Sequence, residues 1–155
     1  LTLSNWRREN INQMISSVYK AIKETNSKVR FGISPASNIE NDYSKLYADV
    51  KLWSTEEGYV DYICPQIYFG FKNQYQPFMF TAKKWVSLVK CDLYIGLPLY
   101  KAGKKDENAS ANEESRINEF INNTDIISRQ ITYISKIEEI EGFYIFSYDY
   151  LFEER

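Results

Sequence analysis

The sequence predicts an α/β fold with a parallel sheet, on three observations. Four short apolar runs with strand character alternate with segments whose apolar residues recur at helical spacing. The order reads α-β-α-β-α-β-α-β, so each strand is reached through a helix, as parallel crossover connections require. The strand runs are apolar on both faces, which is the pattern of parallel strands covered on two sides. Two architectures satisfy this pattern: half of a (β/α)8 barrel, and an open doubly wound sheet. The chain has 155 residues. That is enough for one domain with a core, and short of the roughly 250 of a full barrel.

The elements follow in order. Ser4 or Asn5 is placed to cap a helix beginning near Trp6, one face of which is apolar, with Ile11, Met14, Ile15, Val18, Tyr19 and Ile22 at helical spacing. That helix is expected to end near residues 25–27. Residues 28–34 (KVRFGIS) read as a buried strand stopped by Pro35, and 36–41 as a loop. One helix is expected over 42–54, with Tyr43, Leu46, Val50 and Trp53 on one face and Gly58 as its stop. The next strand, 60–69 (VDYICPQIYF), contains Pro65, which cannot donate to a ladder, so pairing should loosen near its end. A helix over 77–89 carries Phe78, Ala82, Trp85, Val86 and Val89, with Pro77 in its first turn. Residues 92–100 (DLYIGLPLY) form the third strand, and 101–112 (KAGKKDENASAN) a polar loop. A short helix over 113–121 precedes a stronger one that Asp125 caps and Gly142 stops, with Ile127, Ile131, Ile134 and Ile137 in register. Residues 143–147 form the last strand, and 148–155 a tail or the start of another helix.

Composition narrows the chemistry. With 44% hydrophobic and 26% charged residues and a net charge of −2, the chain reads as globular, and nucleic acid and anionic membranes are not expected partners. No apolar run approaches the ~18 residues of a membrane span, and no signal peptide is visible in this segment. Histidine is absent, so acid–base chemistry falls to Asp, Glu, Tyr or Lys. No metal site and no cofactor are expected. Cys64 and Cys91 lie in or beside apolar runs and read as buried free thiols, a disulfide being the alternative. The 13 Tyr, 9 Phe and 3 Trp either fill a core or line a groove for a flat amphipathic ligand such as a sugar ring.

The strand ends favour the barrel. No glycine-rich phosphate fingerprint is present, whereas three strands finish in polar or aromatic residues beside a proline: Ser34-Pro35, Pro65-Gln66-Ile67-Tyr68 and Leu97-Pro98-Leu99-Tyr100. In a barrel, those C-terminal ends build the active site. Gln66 is polar within an apolar run and needs hydrogen-bond partners if buried. Ser34, Gln66, Tyr68, Tyr100 and Ser147 are therefore candidate substrate-binding residues, each weighed against a role as turn or packing residue. Asp61, at the start of its strand, and Asp49, off the apolar stripe of its helix, read as structural. Asp149, after the last strand, is the best-placed carboxylate of the segment.

Several of these residues recur in a known pattern. The runs are Trp6-Arg7-Arg8-x-Asn10-Ile11-Asn12, Phe31-Gly32-Ile33-Ser34-Pro35, Tyr47-Ala48-Asp49 ahead of Trp53, and Val60-Asp61-Tyr62-Ile63-x-Pro65-Gln66-Ile67-Tyr68. Leu93-Tyr94-Ile95-Gly96, Tyr100-Lys101, Gly142-Phe143 and Phe146-Ser147 follow. In this order and spacing they resemble the glycosyl hydrolase-like 10 family. The resemblance implies a bacterial cell-envelope protein with a TIM-barrel domain, some members acting on peptidoglycan glycan strands. It implies that residues 1–155 are a partial barrel domain, strands five to eight, and that an acidic motif ending the fourth strand lies outside them. The chain departs from the pattern at Asn5, where Asp is common, and at Phe69, where Trp is common; the second change touches an aromatic sugar platform.

Under that resemblance the chain is expected to supply one wall of a glycan groove. Gln66 would bond a sugar hydroxyl or a catalytic carboxylate, Tyr68 and Tyr100 would stack or hydrogen-bond, Ser34 and Ser147 would add minor contacts, and Arg7 would meet an anionic or carbonyl group. The catalytic acid would come from outside this half, and the catalytic residues themselves are not identified. Two alternatives stand beside the glycosidase reading: a barrel remnant that binds carbohydrate without cleaving it, and an open-sheet α/β binding domain. Half a barrel also leaves unpaired strand edges, which invite self-association.

Overall fold

The computed structural model describes residues 2–152. Its four strands form one all-parallel sheet in chain order: β1 (Gly32–Ile33), β2 (Tyr62–Ile63), β3 (Asp92–Pro98) and β4 (Ile140–Phe146). Helices lie between the strands: α1 (Leu3–Thr25) before β1, α2 (Ile39–Ser44) and α3 (Val50–Thr55) before β2, α4 (Phe78–Leu88) before β3, then α5 (Glu114–Ile117), α6 (Glu119–Asn122) and α7 (Ile126–Ile134) before β4. Strands in consecutive order with helical crossovers are the arrangement of half a (β/α)8 barrel. A doubly wound sheet would instead reverse its strand order at a switch point.

The helices cover one face of the sheet. Ile63, Ile67, Leu93, Ile95 and Leu97 point into that layer and are fully buried against Val50 and Trp53 of α3, Phe78, Ala82 and Trp85 of α4, and Ile134 of α7. The two buried indoles are also satisfied: Trp53 Nε1 donates to Asn12 Oδ1 (2.7 Å), joining α3 to α1, and Trp85 Nε1 donates to the Ser37 carbonyl (3.0 Å). Asp61 has the structural role expected of it, accepting from the Phe31 amide (2.6 Å) and from Lys23 (2.7 Å) near the end of α1.

Several boundaries differ from those expected. The cap of α1 is Thr2, whose hydroxyl accepts from the Asn5 amide, and not Ser4 or Asn5. The helix expected over 42–54 is two helices: the first ends at Ser44, Tyr47 in the connection adopts a left-handed conformation (φ 55°), and Asp49 caps the second through the Leu52 amide. Gly58, expected to stop that helix, lies two residues past its end at Glu56, in a turn with φ 89°. The first two strands are two residues long. Beyond them only single bridges remain, Ala36 to Gln66 and Gln66 to Gly96, so the prolines at 35 and 65 shorten the ladder as Pro65 foretold. Gly142, expected as a helix stop, lies inside β4, which begins at Ile140 and pairs Gly142 with Tyr94. The short helix expected over 113–121 is α5 and α6, and of the 148–155 tail, Tyr148–Leu151 is a 3-10 turn while 153–155 lie outside the described residues.

Candidate functional site

The sheet's other face is concave and aromatic. Residues of β2, β3 and β4 in register alternate toward it: Tyr62 and Cys64, Tyr94 and Gly96, Tyr144 and Phe146. They sort into two tiers. The lower tier, toward the strand starts, packs Tyr94 edge-on against Tyr62 and Tyr144, with both centroid separations 5.4 Å. Arg30 closes it from below, donating to the Tyr94 hydroxyl (3.2 Å) and pairing with Asp92. Gly32 is required here, since a Cβ at that position would collide with the Tyr62 ring.

The upper tier sits at the strand ends. Tyr68 and Tyr100 meet edge to face at 5.8 Å, and Phe146 lies 6.0 Å from each, roughly parallel to Tyr68 and perpendicular to Tyr100. Gly96 admits this arrangement: an added Cβ would stand 3.1 Å from the Pro65 carbonyl and 3.3 Å from the Tyr68 ring. Between the tiers and Ser34 is a hollow of about 280 Å³, lined by Ser34, Tyr62, Cys64, Tyr68, Tyr144 and Phe146 among others. Burial pushes the Tyr68 phenol up to about 12, with Cys64 and Tyr100 adding to the effect, so it stays a neutral donor and acceptor over any ordinary pH. Burial likewise pushes the Cys64 thiol up to about 12, so it is no thiolate nucleophile. Both cysteines are free, Cys64 buried and Cys91 partly so.

The structure places the sequence candidates as follows. Ser34 lines the hollow. Gln66 stands three residues past β2 and donates Nε2 to the Ser34 carbonyl (3.1 Å), tying the segments after β1 and β2 together; its Oε1 has no partner among the described residues. Tyr68 and Tyr100 share the upper tier. Ser147 directly follows Phe146 across a cis peptide bond and is half-buried. Arg7 does not line the hollow. It lies on α1, donates to the Tyr47 hydroxyl (2.6 Å) and covers that ring, holding the turn between α2 and α3. Asp149 is exposed within the 3-10 turn, and among the described residues lining the hollow there is no carboxylate. Neither Phe146 nor Tyr144 stood among the candidate site residues: Phe146 entered the sequence pattern only beside Ser147 and Tyr144 only within the last strand, although their alternation along β4 points both toward one face. Among the described residues no cluster of three or more His, Cys, Asp or Glu side chains could hold a metal ion, and no helix is long and apolar enough to cross a membrane.

Comparison with known proteins fits this architecture. The model of the family described as Glycosyl hydrolase-like 10 matches residues 2–112. The chain is 33% identical to Glycosyl hydrolase DigH of Escherichia coli (strain K12) over 165 aligned positions, covering 96% of this chain and 36% of that relative. It is 31% identical to Glycosyl hydrolase YngK of Bacillus subtilis (strain 168), covering 94% of this chain and 30% of that protein. The chain thus spans about a third of the length of the curated relatives it matches. No solved structure matches.

Proposed function

The chain belongs to the glycosyl hydrolase-like 10 family, and from that premise we propose that it forms one wall of the glycan groove of a larger glycoside hydrolase that acts on bacterial peptidoglycan strands at the cell envelope. The observation that carries the reading is the upper aromatic tier at the strand ends, the position where barrel enzymes bind substrate. Aromatic faces with hydroxyl edges suit pyranose rings, which present apolar C–H faces and polar rims. Tyr68, Tyr100 and Phe146 stack on a sugar ring, while Ser34, Ser147 and the unpartnered Oε1 of Gln66 bond its hydroxyls. Arg7, committed to Tyr47, serves the fold and reaches an anionic group only if that contact opens.

Glycoside hydrolysis needs two carboxyl groups roughly 5–10 Å apart across the scissile bond. The hollow has none, so in this reading at least the catalytic acid comes from outside this chain. The 155-residue chain alone is then expected to leave denuded peptidoglycan strands uncut. Incubation followed by a reducing-end assay tests this, and new reducing ends would refute it. The same lack of carboxylates supports a second reading, a non-catalytic carbohydrate-binding barrel. An acidic motif at the end of the preceding strand in the longer protein favours the enzyme; its absence favours the binder.

A further inference from the structure

Resting on the reading of the upper tier as a sugar wall, we propose that Lys101 is a positioning residue that locks Tyr68 and Tyr100 into their edge-to-face pair. Lys101 ends the 3-10 turn Leu99–Lys101 that follows β3, so it is covalently next to Tyr100. Its Nζ donates to the Tyr68 carbonyl at 2.8 Å, the main chain of the residue that Tyr100 meets. The same ammonium pairs with Asp106 Oδ2 at 3.0 Å, with side-chain exposures of 15% and 2%. Phe69 and Phe120 flank it, their ring centroids 5.7 and 6.0 Å away.

The arrangement is more than a surface ion pair. The ammonium sits between two rings and its carboxylate partner is buried, so the contact is shielded from the water and salt that weaken exposed pairs. Pro65 has cost β2 its ladder by this point, and Tyr68 has no strand neighbour to fix it. Lys101 replaces that missing pairing with a tie from the end of β3 to the end of β2. Asp106 extends the tie into the loop between β3 and α5, where its amide donates to the carbonyl of Ile117 at the end of α5 (2.8 Å). The sugar-facing rings therefore depend on a side chain that does not itself line the hollow.

Lys101→Met alone would strand Asp106 as a buried unpaired charge and could unfold the loop. The test therefore compares Asp106→Asn, which keeps the bond to the Tyr68 carbonyl, with the double variant Lys101→Met/Asp106→Asn, which removes both. Two readouts are taken on the 155-residue chain: the ring-to-ring nuclear Overhauser effect between Tyr68 and Tyr100, and the affinity for chitotetraose. Methyl signals of Ile95 and Leu97 report the core. Asp106→Asn should keep the ring contact and its affinity. The double variant should lose the ring contact and bind roughly tenfold more weakly, the loss of about one aromatic contact, with the core methyls unmoved. A double variant that keeps the ring contact, or one that moves the core methyls as much as the rim, overturns the proposal. If no form of the chain binds chitotetraose, the sugar-wall reading falls, and the ring contact alone then decides whether Lys101 positions the pair.

Discussion

Asp42 is fully buried on α2, and among the described residues no side chain pairs with its carboxylate oxygens. Burial lifts it from 3.8 to about 7 and outweighs the opposing pull of the Ala36 backbone amide. Its folded-state pKa is raised, so the fold favours the protonated acid. The stability tied to that proton is full below the ordinary carboxyl value and is lost as pH climbs from there through about 7. Asp42→Asn, which cannot ionise, should therefore be stabilising relative to wild type at pH 8 by an amount of order 2–4 kcal/mol, with little difference near pH 4. Thermal melts at the two pH values check it; a difference independent of pH would contradict the assignment. Asp61 behaves in the opposite sense. Burial raises it, but Lys23, the Phe31 amide and Tyr19 outweigh burial and hold it below its usual range, so its contribution fades only as pH falls through that lowered value. The sequence marked Asp61 as structural because it sits at the start of its strand, away from the strand ends that build a barrel site. It gave no warning of Asp42, since nothing in a helical register says that an acid will lie under the loop from β1.

At the scale of elements, what was legible depended on length and local signal. Long periodic segments such as α1 and α4, and β3 with its continuous apolar run, stand close to where the pattern put them. The breaks came where one backbone conformation overrides periodicity. The left-handed turn at Tyr47 divides α2 from α3 although the apolar residues on either side keep helical spacing. Gly142 reads as a helix stop in sequence, yet its role is to face Tyr94 within β4, where an added Cβ would stand 3.4 Å from that ring. Gly96 carries the more demanding contact, because the Pro65 carbonyl it faces is backbone and yields little. Gly96→Ala should destabilise the chain by about 1–3 kcal/mol and, by pushing Tyr68 away, weaken glycan binding as well. Denaturant unfolding and a binding titration on the same sample check both. Unchanged affinity at reduced stability would show that Tyr68 does not depend on this close approach.

The whole molecule is a helix layer on one face of a parallel sheet, with the opposite face and the outer edges of β1 and β4 left open. Tyr144, Phe146, Tyr148, Leu151 and Phe152 are all more than half exposed at the β4 side. On α1, Leu3, Trp6, Met14 and Val18 form an exposed apolar stripe at helical spacing. Surface of this extent, beside strand edges that still offer unpaired backbone groups, favours association. The chain on its own should therefore shift to larger species with concentration in light scattering, and a monomer of constant mass across the range would oppose that view. The half-barrel topology was legible because alternation and strand-end chemistry are local in sequence; the two-tier aromatic face was not, because it arises from register between strands far apart in the chain. The sugar wall is tested most directly by titrating the isotope-labelled chain with chitotetraose and following it by NMR. The largest shifts should fall on Ser34, Gln66, Tyr68, Tyr100, Phe146 and Ser147. Shifts confined to the Arg7–Tyr47 corner, or none at saturating sugar, would contradict it.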